Sequence, residues 1–174
     1  MHPWDEIREG NALWTIEEYY PSHCRFFDYV EQELKLKVVI AAHPKTNHIE
    51  YPEYFGKRHV IRNQLIPLIK KSRLVMSHDS TALVLVAVER KPTLILTNVA
   101  FEKDIGCSRT LKVTAASFGK TPIDVDQLPY SIDWQRELIA DESIYSSYVQ
   151  KYVKIAGSEK INSWQILANR LKQL

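Results

Sequence analysis

Apolar positions along this chain recur with two different periods. Phe26, Val30 and Leu34 fall at i, i+4 and i+8, the spacing that puts side chains on one face of a helix. Pro21 suits a first turn, because its missing N–H has no intrahelical partner there. One amphipathic helix over about residues 20–35 follows. Beyond it, short apolar runs at 38–42, 59–62, 74–77 and 93–97 have the length and composition of strands. Between them Asn63 is a candidate N-cap for a helix over 64–71, whose Pro67 lies near the first turn. Asp79 or Ser80 is a candidate cap for a helix that reaches about residue 89 and stops at Lys91-Pro92. Residues 108–116 read as a helix opened by Ser108, 123–125 as a short last strand, and 142–153 and 160–173 as closing helices. Strands alternating with helices predict an α/β fold, a Rossmann-like three-layer domain whose parallel sheet is covered on both faces.

Residues 1–15 show no clear period and read as a lead-in or linker, whereas 16–174 form a single folded unit. No repeat of 20 to 50 residues is present, and five glycines in the whole chain leave no flexible linker inside it. Two apolar surfaces stand out. Residues 82–88 are apolar on every side of their helix, and Ile161, Trp164, Leu167, Leu171 and Leu174 make one apolar face on the last helix. The last helix is expected to dock. The all-apolar one needs cover from a second domain, a partner chain or the centre of this domain itself.

Composition narrows the function. With 174 residues and 45% apolar content the chain can bury a real core, which excludes disorder for most of it. Its 23 Lys and Arg against 21 Asp and Glu leave a net charge of +2, so no nucleic-acid partner is indicated. Cys24 and Cys107 have no ligand or redox spacing, which fits a reduced, cytoplasmic chain. The longest apolar run has seven residues, against about 20 needed to span a bilayer, so no transmembrane segment is expected.

In a parallel sheet, ligands sit outside the carboxyl ends of the strands. That rule selects the loops at 43–47, at Arg62-Asn63 and at Ser77-His78-Asp79-Ser80-Thr81. The last of these opens a helix, so unpaired N–H groups and two hydroxyls could hold a phosphate there; alternatively Asp79 or Ser80 simply caps the helix. His43 follows a strand directly and is placed to neutralise a leaving phosphate, or else bonds a neighbouring loop. Between positions 41 and 75 seven basic residues face only Glu50 and Glu53, a bias that suits an anionic ligand, with Lys45 and Arg62 as its contacts. Glycine-rich nucleotide motifs and clustered zinc ligands are absent from the sequence. Asp124-Val125-Asp126 has the D-x-D form but reads as a surface pair, so neither a metal nor a cofactor is expected.

The ordered set Val38-Val39-Ile40-Ala41-Ala42-His43-Pro44-Lys45, Lys71-Ser72-Arg73-Leu74-Val75-Met76-Ser77-His78-Asp79-Ser80-Thr81-Ala82-Leu83 and Lys91-Pro92-Thr93-Leu94-Ile95 resembles a known family. It is similar to the carboxyl-terminal half of bacterial surface-carbohydrate glycosyltransferases of the two-domain GT-B architecture, in particular the capsule-polysaccharide and sialyltransferase-like groups. The resemblance covers about residues 16–126. It implies that His43 is catalytic, stabilising the leaving nucleotide phosphate, and that Ser80 and Thr81 bind that phosphate. It also implies that Arg62 and Asn63 lie near the nucleoside, with Pro44, Lys45, Ser77 and Asp79 completing the donor site. Some relatives have paired serines where this chain has Ser80-Thr81.

The resemblance further implies a nucleotide-sugar donor, a saccharide acceptor and metal-independent transfer in the cytoplasm, peripheral to the inner membrane. In such enzymes the acidic general base belongs to an amino-terminal domain. Only 42 residues precede His43 here, so a missing domain or a partner chain is expected to complete catalysis, whereas the chain alone is expected to self-associate or expose an apolar patch and to lack the base. The alternatives are a non-catalytic nucleotide-binding module and a cytidine-nucleotide-dependent alditol phosphotransferase domain.

Overall fold

The computed structural model describes residues 15–43, 52–154, 157–158 and 161–173. Helix α1 (Ile16–Leu34) begins one turn earlier than the apolar period predicts, because Thr15 and Glu18 form a capping box. The Thr15 hydroxyl accepts from the Glu18 amide at 3.2 Å and Glu18 accepts from the Thr15 amide at 3.0 Å. Pro21 therefore sits in the second turn rather than the first. The helix ends at Lys35, whose φ of 53° is left-handed. Its buried face carries Tyr19, Tyr20, His23, Phe26, Phe27 and Val30, three and four residues apart.

The parallel strands fall into two small sheets. Strands β1 (Ile40–Ala42) and β2 (Val60–Arg62) pair with Ala42 opposite Arg62, and a 3-10 turn at Pro52–Phe55 packs on α1 between them in sequence. After helix α2 (Leu65–Lys71), strand β3 (Val75–Ser77) joins the second sheet. Then come helix α3 (Leu83–Val88) and strand β4 (Thr93–Thr97). Helices α4 (Val99–Lys103) and α5 (Ile105–Ser117) precede strand β5 (Ile123–Asp124). The order in this sheet is β3-β4-β5, all parallel, with Ser77 opposite Ile95 and Thr97 opposite Asp124. The α/β, Rossmann-like expectation holds.

Helices α6 (Trp134–Glu137), α7 (Glu142–Tyr152) and α8 (Ser163–Leu171) finish the chain. The turn after α5 requires glycine. Gly119 has φ +67°, its amide and that of Lys120 donate to the Ala116 and Ala115 carbonyls, and a Cβ there would stand 2.5 Å from Ile144 Cδ1.

Helix α4 has no counterpart in the periodicity, since five residues are too few to show one. Asp104, not Ser108, opens α5 by accepting from the Cys107 amide at 2.7 Å. The two apolar surfaces have different fates. In α3, Leu83, Val86 and Ala87 are buried, and α7 packs against this helix, so cover comes from within the domain; Val88 stays exposed. In α8 no residue is buried, and Trp164 is 80% exposed. The lead-in over residues 1–14 lies outside the described residues. Among the described residues, no helix is long and apolar enough to cross a membrane.

Stability should follow this division. Phe26, fully buried in the core, should lose about 3–5 kcal/mol on Phe26→Ala, as for large aromatic truncations elsewhere. Trp164→Ala should stay within about 0.5 kcal/mol of wild type, as surface substitutions do. Urea unfolding monitored by circular dichroism checks both values, and equal losses would contradict the described packing.

Candidate functional site

The register of the first sheet brings three of the expected residues to one place. Ala42 pairs with Arg62, so His43, Arg62 and Asn63 leave the carboxyl ends of adjacent parallel strands side by side. His43 is exposed and Arg62 is half-buried. Asn63 does not cap the following helix as expected. It adopts a left-handed φ of 58°, a conformation asparagine tolerates, and turns the chain so that Gln64 becomes the N-cap with no side-chain bond. Pro44 and Lys45 lie outside the described residues.

The second group, Ser77, Asp79, Ser80 and Thr81, leaves the end of β3 in the other sheet. Here the capping expectation needs correction. Ser80 Oγ accepts from the Ala82 amide at 3.2 Å, and the Ser80 and Thr81 carbonyls accept from Leu83 and Val84. These bonds make a tight turn that feeds a six-residue helix whose N-cap is Ala82, without a side-chain bond. Neither Asp79 nor Ser80 is the N-cap. So short a helix offers little macrodipole, and any anion held here depends on the turn amides and the hydroxyls. Exposed Asp79 instead accepts a long bond, 3.5 Å, from Thr114 of α5.

The local positive bias is partly neutralised by folding. The Arg58 guanidinium lies 2.6 Å from Asp28 and 2.7 Å from Glu31 of α1, and Lys70 lies 3.6 Å from Glu89. These acids come from outside the window in which the bias was counted. The D-x-D pair has a structural task. Asp124 Oδ1 accepts from the Asp126 amide at 2.9 Å, and Asp126 Oδ2 accepts from the Val99 amide at 3.0 Å, tying the end of β5 to the start of α4. Among the described residues, no three His, Cys, Asp or Glu side chains are grouped so as to hold a metal.

A cluster that the sequence did not reveal lies beneath the β3 loop. Tyr19 and His23, one helical turn apart on α1, meet His78 at the end of β3. His23 Nδ1 lies 2.7 Å from the Tyr19 carbonyl, and His78 Nδ1 lies 2.8 Å from the Leu96 carbonyl. A carbonyl only accepts, so each Nδ1 carries the proton and donates. Each Nε2 is then a lone pair. The Tyr19 hydroxyl donates to His78 Nε2 at 2.8 Å, and the two Nε2 atoms stand 3.1 Å apart. Burial pushes His23 down to about 3, helped by the neighbouring His78, and pushes His78 down to about 4, so both rings are neutral near pH 7. Tyr19 stacks on His23 with ring centroids 4.0 Å apart, and Phe101 packs on His78 at 4.7 Å. Fifty-five residues separate the histidines; the only local sign is the Tyr-x-x-x-His spacing on α1.

The stitching role of Asp126 is directly measurable. Its carboxylate is partly exposed, so Asp126→Ala should cost about 1 kcal/mol, toward the low end for a hydrogen bond to a charged group. Denaturant titration checks this, and an unchanged midpoint would remove the structural role. Comparison of this chain with protein-family models, with curated proteins and with solved structures finds no match to any of them.

Proposed function

We propose that this chain is the donor-binding half of a metal-independent glycosyltransferase that acts on bacterial surface polysaccharide, with a nucleoside mono- or diphosphate sugar as its ligand. The observation that supports this reading most is the pairing of Ala42 with Arg62. It sets an exposed imidazole, a guanidinium and an amide together at the carboxyl edge of a parallel pair, where such folds bind ligands. His43 would neutralise charge on the leaving phosphate, and Arg62 and Asn63 would contact the nucleoside. The turn at Ser80-Thr81 offers hydroxyl and amide donors of the kind a phosphate needs. The saccharide acceptor and the base that takes its proton would be supplied by a second domain or partner chain, so the described domain binds the donor without turning it over.

The test is a thermal-shift and calorimetric panel of CMP, CDP, UDP, GDP and their sugars, since a ligand that favours the folded state raises its stability. One nucleotide class should bind. His43→Ala and Thr81→Ala, both at exposed positions, should each weaken it by about 1–3 kcal/mol, the range for a lost hydrogen bond to a charged group, with unchanged stability in the absence of ligand. Added magnesium or manganese should leave the affinity unaltered. Absence of binding across the panel, or equal affinity in wild type and both variants, would overturn the reading.

A further inference from the structure

The Tyr19–His23–His78 cluster has one acceptor too many. Both imidazole N–H groups are used on carbonyls, and the phenol supplies the single remaining proton to His78 Nε2. The lone pair of His23 Nε2 therefore faces that of His78 Nε2 at 3.1 Å with no proton between them. Moving the His23 proton to Nε2 does not help, because Nδ1 would then face the Tyr19 carbonyl at 2.7 Å as a second pair of acceptors. An electrophile held by the two facing Nε2 atoms, beside the phenol oxygen bonded to His78, removes the conflict.

We propose that His23 Nε2 and His78 Nε2, with Tyr19 Oη, form a seat for one divalent transition-metal ion of the zinc class. Two nitrogens each bound at about 2.0–2.1 Å stand about 2.9 Å apart at a right angle and about 3.4 Å apart at the tetrahedral angle. The observed 3.1 Å lies between these limits. Each histidine also has the outer partner that metal-bound histidines have, with Nδ1–H given to a backbone carbonyl so that Nε2 is fixed as the ligand. The ring orientations are set by stacking and by Phe101 packing, so the donors are held in place before an ion arrives. When the ion enters, an oxygen–metal bond replaces the phenol O–H bond and the proton leaves to the buffer. The ion would clamp α1 to the end of β3, directly below the Asp79-Ser80-Thr81 turn, as a structural site outside the transfer chemistry.

The test strips the full chain with a chelator and titrates it with cobalt(II) alone, and separately with zinc(II) alone. One equivalent should bind, with the visible absorption of low-coordinate cobalt and with X-ray absorption showing two imidazoles. His23→Gln and His78→Gln should each lower the affinity by at least about 10–100-fold, since losing a ligand costs at least what losing an outer-shell partner does. Tyr19→Phe should lower it less and abolish the phenolate-to-metal charge-transfer band expected when copper(II) alone is titrated into the wild type. Because a histidine variant could fail to fold, circular dichroism is recorded for each, and the wild-type X-ray absorption stands independently. No stoichiometric binding, fewer than two imidazoles on the metal, or unchanged affinity in both folded histidine variants would overturn the proposal. None of these measurements uses a nucleotide, so their failure and that of the donor-binding reading are distinguishable.

Discussion

The burial of β4 is the constraint on which the rest of the second sheet depends. All five residues from Thr93 to Thr97 are buried, so every polar group on the strand needs a partner inside the protein. The Thr93 hydroxyl donates to the Val75 carbonyl of β3, and the Thr97 hydroxyl donates to Glu102 of α4. The Leu96 carbonyl accepts from His78, while Asn98 accepts from the Phe101 amide and so starts α4. Two of these bonds hold β3 and the residue after it, and two hold α4. The central strand thereby positions the loop after β3 on one side and the helices that follow it on the other.

That arrangement changes how the candidate site is built. The β3 loop is held less by the helix it opens, which has six residues, than by the core beneath it. His78 points into that core, against Tyr19, His23 and Phe101, while Asp79, Ser80 and Thr81 follow it toward the surface. The first sheet is organised differently, with His43, Arg62 and Asn63 placed by two three-residue strands of which only Ala42 is buried. One cluster rests on a rigid core and the other on a small sheet.

Buried charge is managed by pairing on both sides of the molecule. Arg58, whose side chain is 7% exposed, is shared between Asp28 and Glu31 and lies over the Phe27 ring, which ties the approach to β2 onto α1. Lys120, 6% exposed, is 3.2 Å from Glu137 and donates to the Arg136 carbonyl at 2.8 Å. Such pairs contribute little net stability but fix geometry, because separating either partner leaves a charge in a low-dielectric interior. Arg58 thus belongs to the frame of the site rather than to its anion-binding surface.

Element type was legible wherever periodicity ran over several turns or a strand had an apolar centre, as in α1 and β4. Ends were legible only where a single residue decides them. The capping box at Thr15 and Glu18 is written in the sequence, yet it competes with Pro21 as a start signal, and only the packed helix shows that a proline in the second turn is tolerated. The strand-end rule led to His43, Arg62 and Asn63, since a parallel strand points its last residues to one edge whatever surrounds it. What Ser80 does with its hydroxyl, which acids neutralise Arg58 and what Asp126 binds depend on groups 2 to 30 residues away. The meeting of His23 with His78 spans 55 residues and was invisible in one dimension. Local chemistry determines which elements form and which residues stand at their ends. Only the tertiary fold decides which of those ends meet, because the distance between two side chains in space carries no trace in their separation along the chain.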